Sequence, residues 1–185
     1  MQTSYRYDTP KGVAGGLLDL SPYQIDSRIN GETVAGALKF GMGVVQGAAP
    51  GEGVKIPTST ATADKFEGLV LTGFVQEMDM AGDTRIQPKQ TVGVLRCGKA
   101  WARLAASVTV AYGDKLYLTV TGANAGLFTN VSTGNLAING RFVGAADGGI
   151  APVELYNQNA ADAANAADID ALETRVAALE SADNT

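Results

Sequence analysis

Histidine is the side chain on which most catalysis at neutral pH would rest, and this sequence of 185 residues contains none. A Ser-His-Asp triad, a Cys-His dyad, an imidazole-bound zinc and an imidazole pH switch are therefore excluded within one chain. Cys97 is the only cysteine, which removes an internal disulfide and any Cys-x-x-Cys metal or redox pair. Arg96 and Lys99 beside Cys97 would favour its thiolate, but with no imidazole base to work with it, Cys97 is expected to be a buried or inert thiol. Gly41-Met42-Gly43 with Gly47 has the wrong spacing for a dinucleotide loop, and no helical pattern follows to offer its N-terminus to a phosphate. Cys97-Gly98-Lys99 lacks the upstream glycine and the Ser or Thr of a phosphate-binding loop. Glu77, Asp79 and Asp83 form an acidic cluster without EF-hand spacing or its terminal bidentate Glu, and read as a solvated turn rather than a calcium site. No carboxylate pair stands out for glycoside hydrolysis, and aromatic residues make up only 6% of the chain. Asn130-Val131-Ser132 matches a glycosylation acceptor and reads as a loop. The expectation is a non-enzyme with no metal and no cofactor.

One constellation has chemistry suited to contact rather than catalysis. If Lys99, Trp101 and Arg103 occupy alternating positions of a strand, they share a face, with Arg96 nearby. Such a basic-aromatic face suits an acidic protein surface or nucleic acid. The alternative, slightly preferred, is Trp101 packed at a subunit boundary with the two cations solvated. The net charge of −5 argues against a nucleic-acid binder, whose footprint is basic. No apolar run reaches the length of a membrane span, and the N-terminus lacks a signal-peptide pattern, so no membrane association is expected.

The charge is unevenly placed. From Ala160 onward the acids are Asp162, Asp168, Asp170, Glu173, Glu180 and Asp183 against the single base Arg175, while the rest of the chain balances thirteen acids with thirteen bases. A break of this kind separates two physical objects. It falls just after Asn157-Gln158-Asn159, where the strand pattern also ends.

Three units follow. Residues 1–31 read as an extended arm with Tyr5, Tyr7 and Tyr23, prolines at 10 and 22, and no sustained period. Tyrosines of this kind favour ordering against a partner over free solvation, although the arm equally suits covering its own domain. Deleting 1–30 is expected to leave a folded body. Residues 32–157 read as a β-rich body, a compact antiparallel β-barrel or sandwich, with short apolar runs separated by Gly-rich turns. Leu116-Tyr117-Leu118-Thr119-Val120-Thr121 alternates strictly, and Val108-Thr109-Val110 is expected to pair with it through the turn at 111–114. Further strand candidates are 44–45, 69–75, 92–95, 100–104, 141–143 and 153–155.

Residues 158–185 form the acidic, Ala-rich tail, predicted to be an α-helix. Ile169, Leu172, Val176 and Leu179 are spaced three, four, three, an a/d heptad seam. Arg175 at g and Glu180 at the following e are placed to pair between parallel helices. Arg175-Val176-Ala177-Ala178-Leu179-Glu180 looks like the short trimerisation motif of parallel three-stranded coiled coils. These six residues are the predicted oligomerisation set, with a homotrimer favoured. So short a helix is marginal alone and needs the body to gather the copies.

Three stretches resemble the head-decoration, or structural cement, proteins of tailed bacteriophages. The first is Asp26-Ser27-Arg28 leading to 37–45, and the second is Phe66-Glu67-Gly68-Leu69-Val70-Leu71-Thr72. The third runs through Gly113-Asp114-Lys115-Leu116-Tyr117-Leu118, Gly126-Leu127-Phe128-Thr129, Ile138-Asn139-Gly140-Arg141-Phe142-Val143 and Val153-Glu154-Leu155. The acidic tail is outside this pattern. The resemblance implies a virion protein made in the bacterial host cytoplasm that sits on the outer capsid surface and bridges major capsid proteins to stabilise the expanded shell. Tyr5, Arg6, Tyr7, Tyr23, Arg28, Lys99, Trp101 and Arg103 are the expected capsid contacts. The competing reading is a trimeric tail or receptor-binding protein that recognises a host-surface glycan.

Overall fold

Thirteen consecutive residues, Thr91–Arg103, form the strand around which the rest of the chain is arranged. In a computed structural model of the chain, residues 12–73 and 85–156 are described. They contain nine strands: β1 Gln24–Asn30, β2 Gly43–Gln46, β3 Gly53–Lys55, β4 Phe66–Val70, β5 Thr91–Arg103, β6 Lys115–Thr119, β7 Phe128–Thr129, β8 Asn135–Phe142 and β9 Ile150–Leu155. The only helical turns among the described residues are two short 3-10 turns, Ala63–Lys65 and Gly122–Asn124. The protein is mainly β, as its short apolar runs and Gly-rich turns predict.

The strands β1–β3–β2–β4–β5 form a closed β-barrel, because β1 pairs with β3 on one side and with β5 on the other. Every ladder is antiparallel except β1–β3, which is parallel. From Gly98 onward β5 leaves the barrel and pairs with β9, continuing into the sheet β5–β9–β8–β6–β7. A parallel bridge between Leu104 and Phe128 ties the far strand of that sheet back to the end of β5. Closure of this kind leaves few unpaired strand edges for uncontrolled association.

The hydrophobic pattern explains the arrangement. Val70 of β4 and Val92 and Val94 of β5 point into the barrel with Val44, Val54, Leu38, Phe40 and Ile86. Phe66, Leu69, Leu71 and Leu95 point the other way, into a larger cluster with Leu116, Leu118, Phe128, Phe142, Val153 and Leu155. The barrel wall is thus buried on both faces where the second sheet covers it, and Leu69-Val70-Leu71 and Val92-Gly93-Val94-Leu95 read as continuous apolar runs. Gly43 sits at that junction, where a Cβ would lie 2.5 Å from Leu118 Cδ1 and 2.9 Å from Phe128 Cζ.

Several expectations change. The candidates at 92–95 and 100–104 are one strand, carried through Gly98 at φ +125°, a conformation that side chains rarely adopt. Val108-Thr109-Val110 is not a strand; Ser107 turns the chain at φ 61° and Val110 drops into the core, so β6 pairs with β7 and β8 instead. Gln24–Asn30, read within the arm, is a barrel strand. Removing 1–30 would therefore remove part of the barrel wall, not a detachable appendage. The predicted tail helix lies outside the described residues.

Candidate docking surface

The chain before β1 is tied to β5 along the edge opposite β9. Leu17 bridges Ala100, which itself pairs with Val153. The Gly15 N–H donates to the Trp101 carbonyl (2.7 Å), the Trp101 N–H to the Gly16 carbonyl (2.9 Å), and the Leu18 N–H to the Lys99 carbonyl (3.0 Å). On its other side the Thr72 N–H donates to the Gly15 carbonyl, and the Thr72 hydroxyl to the Ala14 carbonyl (2.7 Å). These bonds satisfy backbone groups that an isolated arm would leave to water.

This path decides the fate of the basic-aromatic constellation. Trp101 is only 7% exposed, and its indole lies so close beneath Gly12 that a Cβ there would fall 2.2 Å from Nε1. The Lys99 ammonium pairs with Asp19 at 3.1 Å, and Arg103 Nε donates to the Phe40 carbonyl at 2.8 Å. Ser21 donates its hydroxyl and N–H to Asp19 and, with Lys99, holds that carboxyl below the usual range. Lys99, Trp101 and Arg103 consequently do not make one open face: the N-terminal segment covers Trp101 and pairs Lys99, and Arg103 turns to the Phe40 carbonyl.

Strand β1 inverts the usual rule. Asp26 and Arg28 register opposite Val94 and Val92 and so share the barrel-facing side, whereas Ile25, Ser27 and Ile29 look outward. The inward charges meet at one end of the barrel. Arg28 Nη2 lies 2.9 Å from Asp26 Oδ2 and 3.4 Å from Glu67 Oε2, while Arg96 Nη1 lies 2.6 Å from Glu67 Oε2. Arg28 Nε is buried without a hydrogen-bond partner. Arg28 thus belongs to an ion cluster that closes the barrel end.

The outward side carries apolar surface. Val13, Leu20, Tyr23, Ile25, Ile29 and Val34 are six of the nine large hydrophobic side chains exposed among the described residues. Single exposed hydrophobics are ordinary; six within 22 consecutive residues, with Ile25 and Ile29 together on the outward side of β1, are a candidate for an interaction surface. Tyr23 was legible in the sequence. Ile25 and Ile29 were not, because their alternation with Asp26 and Arg28 carries no sign of which side faces inward.

A second exposed group surrounds the end of β9. Arg141 stacks over Tyr112, 5.4 Å from its centroid, and its Nε donates to Glu154 Oε2 at 2.9 Å. Glu154, then Tyr112 and Tyr156, raise the Arg141 pKa above its ordinary value.

The remaining expected sites divide simply. Tyr5, Arg6 and Tyr7, the acidic cluster Glu77, Asp79 and Asp83, and the oligomerisation set Ile169, Leu172, Arg175, Val176, Leu179 and Glu180 all lie outside the described residues. Cys97 is a free, half-buried thiol. Among the described residues no group of three His, Cys, Asp or Glu side chains is arranged to hold a metal, and no helix is long and apolar enough to cross a membrane. What the arrangement offers is surface for docking.

A family model described as structural cement protein (E217 gp24/Pam3 gp6) matches residues 1–156. Among solved structures, a chain from "The capsid of Myoviridae Phage XM1" superposes with a TM-score of 0.64 at 19% identity, covering 86% of this chain and 98% of that one. That likeness is one of fold. A comparison with curated proteins gives no match. The family match stops at Tyr156, the last residue before the strand pattern gives way to the acidic tail.

Proposed function

The chain belongs to the phage structural cement protein family, and from that premise we propose that it binds the outside of a capsid, bridges major capsid proteins and stabilises the expanded shell. The family is one of structural virion proteins, not of enzymes. The observation that carries the finer reading is the set of exposed apolar side chains Val13, Leu20, Tyr23, Ile25 and Ile29, on β1 and on the segment leading into it. A shell under internal pressure is loaded at the seams between its subunits. A rigid strip that spans a seam adds interface area without any chemistry, and several weak contacts made together multiply in avidity.

The contact set moves accordingly. Tyr23 stays in it, and Tyr5, Arg6 and Tyr7 are kept as contacts proposed from the sequence alone. Trp101 and Arg28 act from within, the first by anchoring the strap and the second by closing the barrel end. The acidic segment 158–185 acts as a separate unit that joins three copies through Ile169, Leu172, Val176 and Leu179, with Arg175 and Glu180 pairing between helices. Its charge favours solvent over the shell.

Two experiments test this. Purified heads lacking the protein are mixed with wild type or with Ile25→Asp/Ile29→Asp and sedimented; the reading requires wild type to pellet with the heads and the variant to stay in solution. Sedimentation velocity then compares wild type with Leu172→Asp/Leu179→Asp. A trimer that persists in the variant removes the tail from assembly while leaving the capsid reading standing.

A further inference from the structure

Where the barrel meets the second sheet, a cleft of about 220 Å³ opens between the turn at 37–42, the end of β5 and the loops at 123–127 and 149. Its sides carry Lys39 and Arg103, and Met42, Leu104 and Leu127 supply apolar lining. No carboxylate lines it. Arg103 spends Nε on the Phe40 carbonyl, which fixes the guanidinium at the cleft, and among the described residues no acid lies within ion-pair distance of either cation. Arg28, Arg96, Lys99 and Arg141, by contrast, each meet a carboxylate of their own chain. Two like charges converging on one cavity repel unless an anion joins them.

We propose that this cleft receives a glutamate or aspartate side chain from an acidic segment of a partner polypeptide. Its volume is below the range of small-molecule sites, about 300–1,000 Å³, and suits one side chain with the apolar flank of its neighbour. Arg103 and Lys39 bind the carboxylate, with the guanidinium held ready by its bond to Phe40. Met42, Leu104 and Leu127 cover the aliphatic part, a lining with no counterpart in a phosphodiester backbone, and the chain's net charge of −5 disfavours a polyanion. This site shares no residue with the exposed apolar set on and before β1, and its test does not depend on shell binding.

The test uses the full chain labelled with methyl-¹³C methionine. The sequence has four methionines; the methyl signal of Met42, which lines the cleft, is assigned with Met42→Leu. The probe is the peptide acetyl-Ala-Leu-Glu-Ala-Leu-Glu-Ala-amide, with its Glu-to-Gln counterpart and a thymidine oligonucleotide as controls. The expected result is a saturable shift of the Met42 signal with the Glu peptide and none with the Gln peptide. Lys39→Gln and Arg103→Gln should each weaken the response about tenfold, the loss of one charge-assisted hydrogen bond. Lys39 is exposed and its replacement leaves the fold intact, so that variant decides the matter even where Arg103→Gln misfolds. An unmoved Met42 signal, an equal shift with the Gln peptide, undiminished binding to Lys39→Gln, or tighter binding of the oligonucleotide overturns the proposal.

Discussion

Replacing Ile25 and Ile29 together by threonine keeps β-branched residues on β1 and removes apolar surface only from its outward side. The two side chains are 40% and 42% exposed in the free chain. Full burial of an isoleucine contributes about 1.5–3 kcal/mol, so covering the remaining two-fifths contributes about 0.6–1.2 kcal/mol per residue. The pair is therefore worth about 2 kcal/mol per copy at a closed interface, about 30-fold in affinity. If three linked copies engage the shell together, the losses compound to about 6 kcal/mol, or about 10⁴-fold in avidity. The fold itself should lose little, since neither side chain belongs to the core clusters; the melting temperature is expected to fall by less than about 4 °C. Binding is measured by co-sedimentation with purified heads over a concentration series at one fixed salt. Unchanged affinity in a folded variant would refute the assignment of β1's outer side as the docking surface.

Three further outcomes follow from the geometry. Gly43→Ala drives a methyl into Leu118 and Phe128 at the junction of the two sheets; overpacking costs about 2 kcal/mol, read as a drop of about 4–8 °C in melting temperature. Glu67→Ala leaves the guanidinium groups of Arg28 and Arg96 with only Asp26 between them, and should cost about 2 kcal/mol in urea unfolding with an unchanged slope, between the values for exposed and buried pairs. Asp114 is held below the usual carboxylate range by the Ala111 N–H and then by Asn130. A depressed folded pKa gives stability that is present above the unfolded value and lost as pH falls through the folded one, so wild type should lose stability below about pH 4. Asp114→Asn should show a shallower loss over the same window in pH-dependent thermal melts.

The legible part of the fold was the part that obeys simple patterning. Leu116 and Leu118 bury one side of β6, and Val153 and Leu155 anchor β9, where their alternation or apolar density placed them. Strand β1 escaped because its charged residues face the barrel end and its isoleucines face out, so the pattern carried the opposite sign from its position. Strand β5 looked like two strands because Gly98 separates its two apolar runs, whereas Gly98 bends one strand from the barrel into the second sheet. At the surface, Lys99, Trp101 and Arg103 do alternate along one strand, but spacing says nothing about which later segment covers them. Here the covering segment is residues 12–19; Gly12 permits the close approach to Trp101, and Gly15 the approach to Val70 and Thr72. The Lys39–Arg103 cleft joins residues far apart in the chain, and nothing local marks it.

The central proposal is positional: a small closed β fold rests on the outside of a capsid through the exposed apolar side chains of β1 and the segment before it. The most direct measurement is a three-dimensional reconstruction of intact particles compared with particles lacking this chain. The account predicts difference density on the outer shell, lying across seams between capsid subunits with the β1 side toward the shell. Difference density confined to the tail or its fibres, with the shell unchanged, would contradict it.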